Sequence, residues 1–163
     1  GIVKPGKGTI DAPIGRQVGR EFKMAVMAGG KESITHYDTV SAYPAQPRAT
    51  AKESLPAVTL LRVQLETGRT HQIRVHMKHI GHTLFNDERY GGDKILWGNQ
   101  FSRYKQFVHN CLTLCPRQAL HAKTLGFVHP VTGEEMLFDS ELPSDLSELL
   151  DRWRTYAAQV DSE

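Results

Sequence analysis

The densest polar stretch of the chain is Thr67-Gly68-Arg69-Thr70-His71-Gln72-Ile73-Arg74-Val75-His76. Two arginines, two histidines and an amide fall around one glycine, where a strand gives way to a helix start. Free backbone N–H groups at such a start point the same way as the side chains, and planar guanidinium forks match phosphate oxygens. A rim of this kind suits an anion, most obviously a phosphate backbone. The competing reading pairs Arg69 with Glu66 or Glu88, and Arg74 with a nearby acid, on a solvated face.

His71, His76, His79 and His82 invite a metal reading. On a helix the first three project at about 0°, 140° and 80°, so they fan out rather than converge. The H-E-x-x-H zinc-protease pattern is absent, and Cys111 with Cys115 completes no standard zinc spacing, so no metal is expected. Core thiols and satisfied histidines account for these residues. No G-x-S-x-G, P-loop or G-x-G-x-x-G occurs, which removes the common nucleophile elbow and nucleotide cradles. Asp87 and Glu88 are adjacent carboxylates, but sequence neighbours point apart, and capping of a loop by Asp87 is the simpler role.

These residues need elements to position them. Ala57 to Leu65 alternates, with Thr59, Leu61, Val63 and Leu65 as the apolar face, which predicts a strand with one side on a core. Thr70 serves as N-cap for a helix from His71 to about Ile80, stopped by Gly81. Ile73, Met77 and Ile80 form its buried stripe, and Arg74 lies about 100° from Ile73, free to face a cleft. Upstream, Phe22 to Met27 and Ser33 to Tyr43 flank Gly29-Gly30 and predict a hairpin. The proline-rich stretch 44–56 reads as a surface loop.

Downstream, a helix is expected from about Gln100 to Cys115, then strands Ala119 to Val128 and Glu135 to Glu141 joined by the His129 to Gly133 turn. A last helix starts at Ser144, with Leu146, Leu149, Leu150 and Trp153 on one face. Strands that outnumber helices and pair locally imply an α+β fold, a mixed but mainly antiparallel sheet with flanking helices. The 163 residues are read as one unit.

Charge divides the chain. From Glu134 onward nine acids face two bases, while the first 133 residues hold 18 bases, nine acids and all eight histidines. A basic body with an acidic end is the footprint of a polyanion binder, against the alternative of a mixed solvated surface. No apolar run reaches the roughly 18 to 20 residues of a membrane helix, so no membrane span is expected. Two cysteines without a secretory context favour a reducing compartment, hence a cytoplasmic location.

Leu65-Glu66-Thr67-Gly68-Arg69-Thr70-His71-Gln72-Ile73-Arg74-Val75-His76, followed by Gly81-His82 and Asp87-x-x-Tyr90-Gly91, resembles the signature of the RluA-type RNA pseudouridine synthases, the large-subunit-rRNA-like subgroup among them. Ala12-Pro13-Ile14-Gly15-Arg16, Leu120-His121-Ala122, Phe127-x-His129-Pro130-x-Thr132-Gly133 and Leu142-Pro143 resemble further family motifs in the same order. The resemblance implies isomerisation of uridine to pseudouridine in ribosomal or transfer RNA, without cofactor or metal, on a base flipped from its stack.

Arg74 matches the family's active-site arginine, whose cation pairs with a catalytic aspartate. Leu120 matches an apolar residue lining the uracil pocket, and Arg69, His71 and Gln72 match positions that contact RNA or shape the site. Lying off the buried stripe, Arg74 is expected to be essential for turnover and dispensable for the fold. The family's nucleophile sits in a His-Arg-Leu-Asp type motif, and no His-Arg-x-Asp occurs here. Asp11, Asp38, Asp87 and Asp93 all lie in other contexts. The resemblance therefore implies the C-terminal portion of a catalytic domain, inactive alone, with an unpaired sheet edge. RNA binding without catalysis is the alternative.

Overall fold

The structure, a computed structural model, describes residues 1–19, 22–44, 57–96 and 102–160. Strand β1 (Lys7–Asp11) pairs with β4 (Ile34–Pro44), which pairs with β5 (Ala57–Leu65), giving a three-stranded sheet in the order β1-β4-β5. Short β2 (Ile14–Arg16) pairs with β3 (Met24–Val26). Helix α1 (Gln72–His79) follows β5, then a 3-10 turn (Glu88–Tyr90) and α2 (Ser102–Leu114). Strands β6 (Thr124–Val128) and β7 (Glu135–Asp139) form a hairpin, and α3 (Ser144–Val160) closes the order.

The α+β expectation holds, and every strand pairing among the described residues is antiparallel. The β5 bounds are those the alternation predicts. Its two faces, however, both meet apolar partners. Val58 and Leu60 pack on a cluster built by α2 and α3 around Trp153, Cys111 and Cys115, whereas Leu61 and Val63 pack with Ile73, Met77 and Ile80 of α1. Leu65, expected inside, is exposed. One strand thus walls two cores, which a single-face pattern does not anticipate.

The hairpin expected across Gly29-Gly30 does not form. The turn is present, with Gly29 at φ 78°, but β3 folds back on β2 and β4 pairs with β1 and β5. Gly30 explains the choice: Lys31 bridges Ile14, and a Cβ on Gly30 would stand 2.7 Å from the Ile14 carbonyl carbon. Close backbone approach, rather than a hairpin reversal, is what the second glycine serves. Pro44 ends β4, and residues 45–56 of the predicted loop, like 100–101 of the predicted helix, lie outside the described residues.

The first strand expected downstream begins at Thr124 instead of Ala119. The residues before it serve as anchors: Ala119 N–H donates to Phe85 O at 2.9 Å, and Arg117 reaches Leu120 O at 3.1 Å. The β6–β7 turn is as predicted, with Gly133 at φ 74° and His129 Nδ1 accepting from the Val131 and Thr132 N–H groups. This hairpin carries exposed Leu125, Phe127, Leu137 and Phe138. Helix α3 buries Leu146, Leu149 and Trp153 as its spacing predicts, and Phe85 and Phe107 meet Trp153 edge-on. No described helix is long and apolar enough to cross a membrane.

The loop after α1 is shaped by its own backbone. Gly81 at φ 84° ends the helix in a Schellman motif, with His82 N–H on Met77 O and Gly81 N–H on Lys78 O. Asn86 then donates to Leu112 O and Cys115 O at the end of α2, fixing the loop that carries Asp87. A Cβ on Gly92 would run into the Leu84 carbonyl oxygen, a backbone atom that cannot swing aside. Gly92→Ala is therefore expected to cost about 1–3 kcal/mol, read as a lowered thermal midpoint. An unchanged midpoint would show that the loop repacks freely.

Candidate functional site

The polar stretch from Thr67 to His76 is held against the start of β4 by a closed hydrogen-bond network. Ile34 N–H donates to Thr67 Oγ1 at 2.9 Å, and the Thr67 hydroxyl donates to Gln72 Oε1 at 2.8 Å. Arg69 N–H donates to the same Oε1 at 2.9 Å. Gln72 Nε2 gives its two protons to Ile34 O and Thr35 Oγ1, at 2.9 and 3.0 Å. The ring of His76 continues the chain. Ala12 O can only accept, so His76 Nε2–H donates to it at 2.9 Å, and Nδ1 accepts from the Thr35 hydroxyl at 2.8 Å.

Gln72 and His76 are buried with every polar atom engaged, which is why the strand-to-helix passage holds one geometry. Burial holds the His76 ring below its usual pKa, keeping it neutral. The passage also corrects the predicted cap. The N-cap is His71, in the left-handed region at φ 58° and ψ 22°, not Thr70, and its side chain makes no capping bond. The Gln72 amide instead holds the residues ahead of the helix, its Oε1 accepting from Arg69 N–H and from the Thr67 hydroxyl.

Helix α1 then aims Arg74 at the loop. Its Nε and Nη2 donate to Asp87 Oδ2 and Oδ1 at 2.8 and 2.7 Å, a bidentate pair. The Asp87 side chain is wholly buried and that of Arg74 is 13 % exposed. The bond to Asp87 holds the guanidinium above its already high pKa. Asp87 also accepts from Tyr90 N–H at 3.3 Å, so the predicted capping role is real and is only half of what it does. Arg74 thus meets an acid, as one reading of the sequence allows, but a buried one. Its Nη1 has no partner among the described residues.

Tyr90 lies beneath this pair. The Arg74 guanidinium sits 4.9 Å from its ring centroid and the Lys78 ammonium 5.8 Å. Its hydroxyl accepts from Met24 N–H at 3.2 Å and meets His71 Nδ1 at 2.8 Å. Burial first, then the Arg74 and Arg89 cations, lower the His71 pKa, with Asp87 opposing them. Phe22 meets the His71 ring edge-on at 6.4 Å and carries the Arg16 guanidinium at 4.6 Å from its own centroid. Phe22, Lys23, Glu88 and Arg89 line an open hollow beside it.

The predicted residues separate into groups. Arg74 and His71 meet around Tyr90. Gln72 stands behind them in the buried network, and Arg69 is tied to the same network by its backbone while its Nε reaches Glu32 O at 3.0 Å. Neither Glu66 nor Glu88 pairs with Arg69, and Glu66 is bonded to His36. Leu120 lies between α2 and β6 and neither bonds nor stacks with Arg74 among the described residues. Sequence reasoning passed over Thr35 and the Arg74–Asp87 pairing. The spacing Asp87-x-x-Tyr90 was a visible sign of the second, whereas nothing local marks Thr35.

The histidines do not converge. His71 serves Tyr90, His76 serves Thr35 and Ala12, and His36 serves Thr9 and Glu66. No three His, Cys, Asp or Glu side chains among the described residues are grouped to hold a metal. Cys111 and Cys115 are buried free thiols, the first pushed up to about 11 by burial.

A family model described as RNA pseudouridylate synthase matches residues 2–79. An RNA pseudouridine synthase of Chlorobaculum parvum is 42% identical over 161 residues, covering 95% of this chain and 45% of that protein. The RNA pseudouridine synthase YlyB of Bacillus subtilis is 40% identical, over 94% of this chain and 41% of the relative. Ribosomal large subunit pseudouridine synthase D of Pseudomonas aeruginosa is 43% identical, over 92% and 42%. The chain spans less than half the length of these relatives.

Proposed function

The chain belongs to the RNA pseudouridylate synthase family, and from that premise we propose that the whole protein isomerises uridine to pseudouridine in RNA, with large-subunit ribosomal RNA as the first candidate substrate. The reaction breaks the bond from N1 to the ribose, rotates the freed uracil and forms a bond from C5. The C5 proton is lost and N1 is protonated. The change is redox neutral and calls for no cofactor. The reducing environment suited to two buried free thiols agrees with a cytoplasmic enzyme.

Arg74 carries the reading. Its Nε and Nη2 are spent on Asp87, which fixes the guanidinium plane and leaves Nη1 for a second carboxylate. On this reading the nucleophilic aspartate comes from sequence outside these 163 residues, and Arg74 keeps it ionised. Leu120 supplies an apolar wall to the uracil. Arg16, Arg69 and Arg89 offer cations to the phosphates near the flipped base.

Tritium release from RNA labelled at uracil C5 tests this directly, with the full-length protein and the 163-residue chain run side by side on ribosomal and transfer RNA. Release by the full-length protein alone is expected, and the responding RNA pool names the substrate. Release by the chain alone would place the nucleophile within it. Silence from both, with RNA affinity that falls steeply as salt rises, would replace catalysis by RNA binding through the basic body.

A further inference from the structure

We propose that Tyr90 is a positioning residue that locks His71 as its Nε2–H tautomer, so that the ring offers a neutral hydrogen-bond donor to a carbonyl oxygen of the target uracil. The proposal rests on the function proposed above for this site. It starts from one proton. The Tyr90 oxygen accepts from Met24 N–H at 3.2 Å, and the residue is 4% exposed. Its hydroxyl proton therefore needs an acceptor inside the protein, and the only one within reach among the described residues is His71 Nδ1 at 2.8 Å. With Nδ1 accepting, a neutral ring carries its proton on Nε2. That nitrogen has no partner among the described residues, although it sits at the rim beside Arg74.

The surroundings favour the neutral ring over the cation. Arg74 from α1 and Arg89 from the 3-10 turn face it, Asp87 is committed to Arg74, Tyr90 is the hydroxyl partner, and Phe22 presents only a ring edge. A phosphate would be met better by an imidazolium, and the site already places arginines for that purpose. A neutral donor instead suits a neutral acceptor, and uracil offers two carbonyl oxygens. The backbone supports the same assignment: His71 is held at φ 58°, a conformation the adjoining Gln72 network fixes, so the ring is delivered in one orientation.

Imidazole nitrogen NMR on the full-length protein reads the tautomer without reference to turnover. The neutral Nε2–H form is expected for His71 at pH 7, and Tyr90→Phe, which keeps the ring under Arg74 and Lys78, is expected to mix the two tautomers. An Nδ1–H ring, an imidazolium at pH 7, or a spectrum unmoved in Tyr90→Phe would overturn the lock. Binding of RNA carrying uridine is then compared with the same RNA carrying 2-thiouridine or 4-thiouridine, whose sulfur is the poorer acceptor. Wild type should lose about tenfold in affinity for one of the thio forms, the worth of one hydrogen bond, and Tyr90→Phe should narrow the difference by about the fraction of rings that leave the Nε2–H form. Equal binding of all three RNAs, or binding that tightens as acid protonates His71, would overturn the carbonyl contact in favour of a phosphate. His71→Asn and His71→Gly, both tolerant of the left-handed backbone, guard against misfolding: only the asparagine should retain part of the discrimination. Failure of the thio comparison with tritium release intact would leave the proposed function standing, and the reverse would leave the lock standing.

Discussion

Arg74→Ala is expected to abolish uridine turnover by the full-length protein and also to cost about 3–5 kcal/mol of stability, because it strands a buried carboxylate. The sequence places Arg74 off the buried stripe and so predicts a residue needed for chemistry but not for the fold. The structure changes the second half of that statement. Asp87 is wholly buried and meets both of its oxygens on one guanidinium, so the cation that serves the site also neutralises the loop. Arg74→Lys should keep part of the stability and little of the turnover, since a point charge cannot hold two oxygens and a second carboxylate in one plane. The double variant Arg74→Ala with Asp87→Asn separates the two effects. Removing the stranded charge should restore most of the denaturation midpoint while tritium release stays at background. Turnover near normal in Arg74→Ala would end the assignment, and an unmoved midpoint would end the account of the buried pair.

Gln72→Ala carries the next largest effect, on the order of 3 kcal/mol, and its size follows from counting what is left without a partner. Ile34 O keeps a bond from Glu66 N–H at 3.2 Å, and the Thr35 hydroxyl keeps His76. Arg69 N–H and the Thr67 hydroxyl keep nothing inside the protein. Two orphaned donors at about 1–3 kcal/mol each set the estimate. Gln72→Glu should be worse, because a carboxylate cannot donate to Ile34 O or Thr35 Oγ1. Urea denaturation of the two variants checks the order. Turnover should fall along with stability, since the network sets the direction in which α1 presents Arg74. A Gln72→Ala protein as stable as wild type would mean that water satisfies the passage and that the amide is not its fastener.

What could be read from the sequence, and what could not, divides by the range of the interactions. The α1 stripe, the α3 face, the β6–β7 turn and the bounds of β5 depend on period and turn chemistry within a few residues, and all were legible. The partner of β3 was not, since Gly29-Gly30 suits a hairpin equally well and only the approach of Gly30 to Ile14 decides against it. Thr70 is a sound cap by type, but the Gln72 amide, bonded to Ile34 O and Thr35 Oγ1 more than thirty residues away in sequence and to Arg69 N–H nearby, fixes a passage in which His71 takes the N-cap position in the left-handed region. The cluster that holds Arg74 was visible as a motif, but its organisation was not. Thr35 and Asp87 reach it from a strand upstream and a loop downstream; the Asp87-x-x-Tyr90 spacing marks the second, and no local pattern marks the first.

The strand that walls two cores has a further consequence. Val58 and Leu60 lean on the cluster around Trp153 of α3, three residues along Leu61 and Val63 lean on the cluster that holds α1, and the same backbone therefore feels both. Loosening either one withdraws a face of β5 from the other, so the acidic terminal helix and the arginine that defines the site rise and fall within one cooperative unit. A substitution at Trp153, in a different core from the rim where RNA would lie, then reaches function by a route that needs no distortion of that rim. It acts by lowering the fraction of molecules that are folded at all, a loss of abundance in the cell rather than a defect in each surviving molecule.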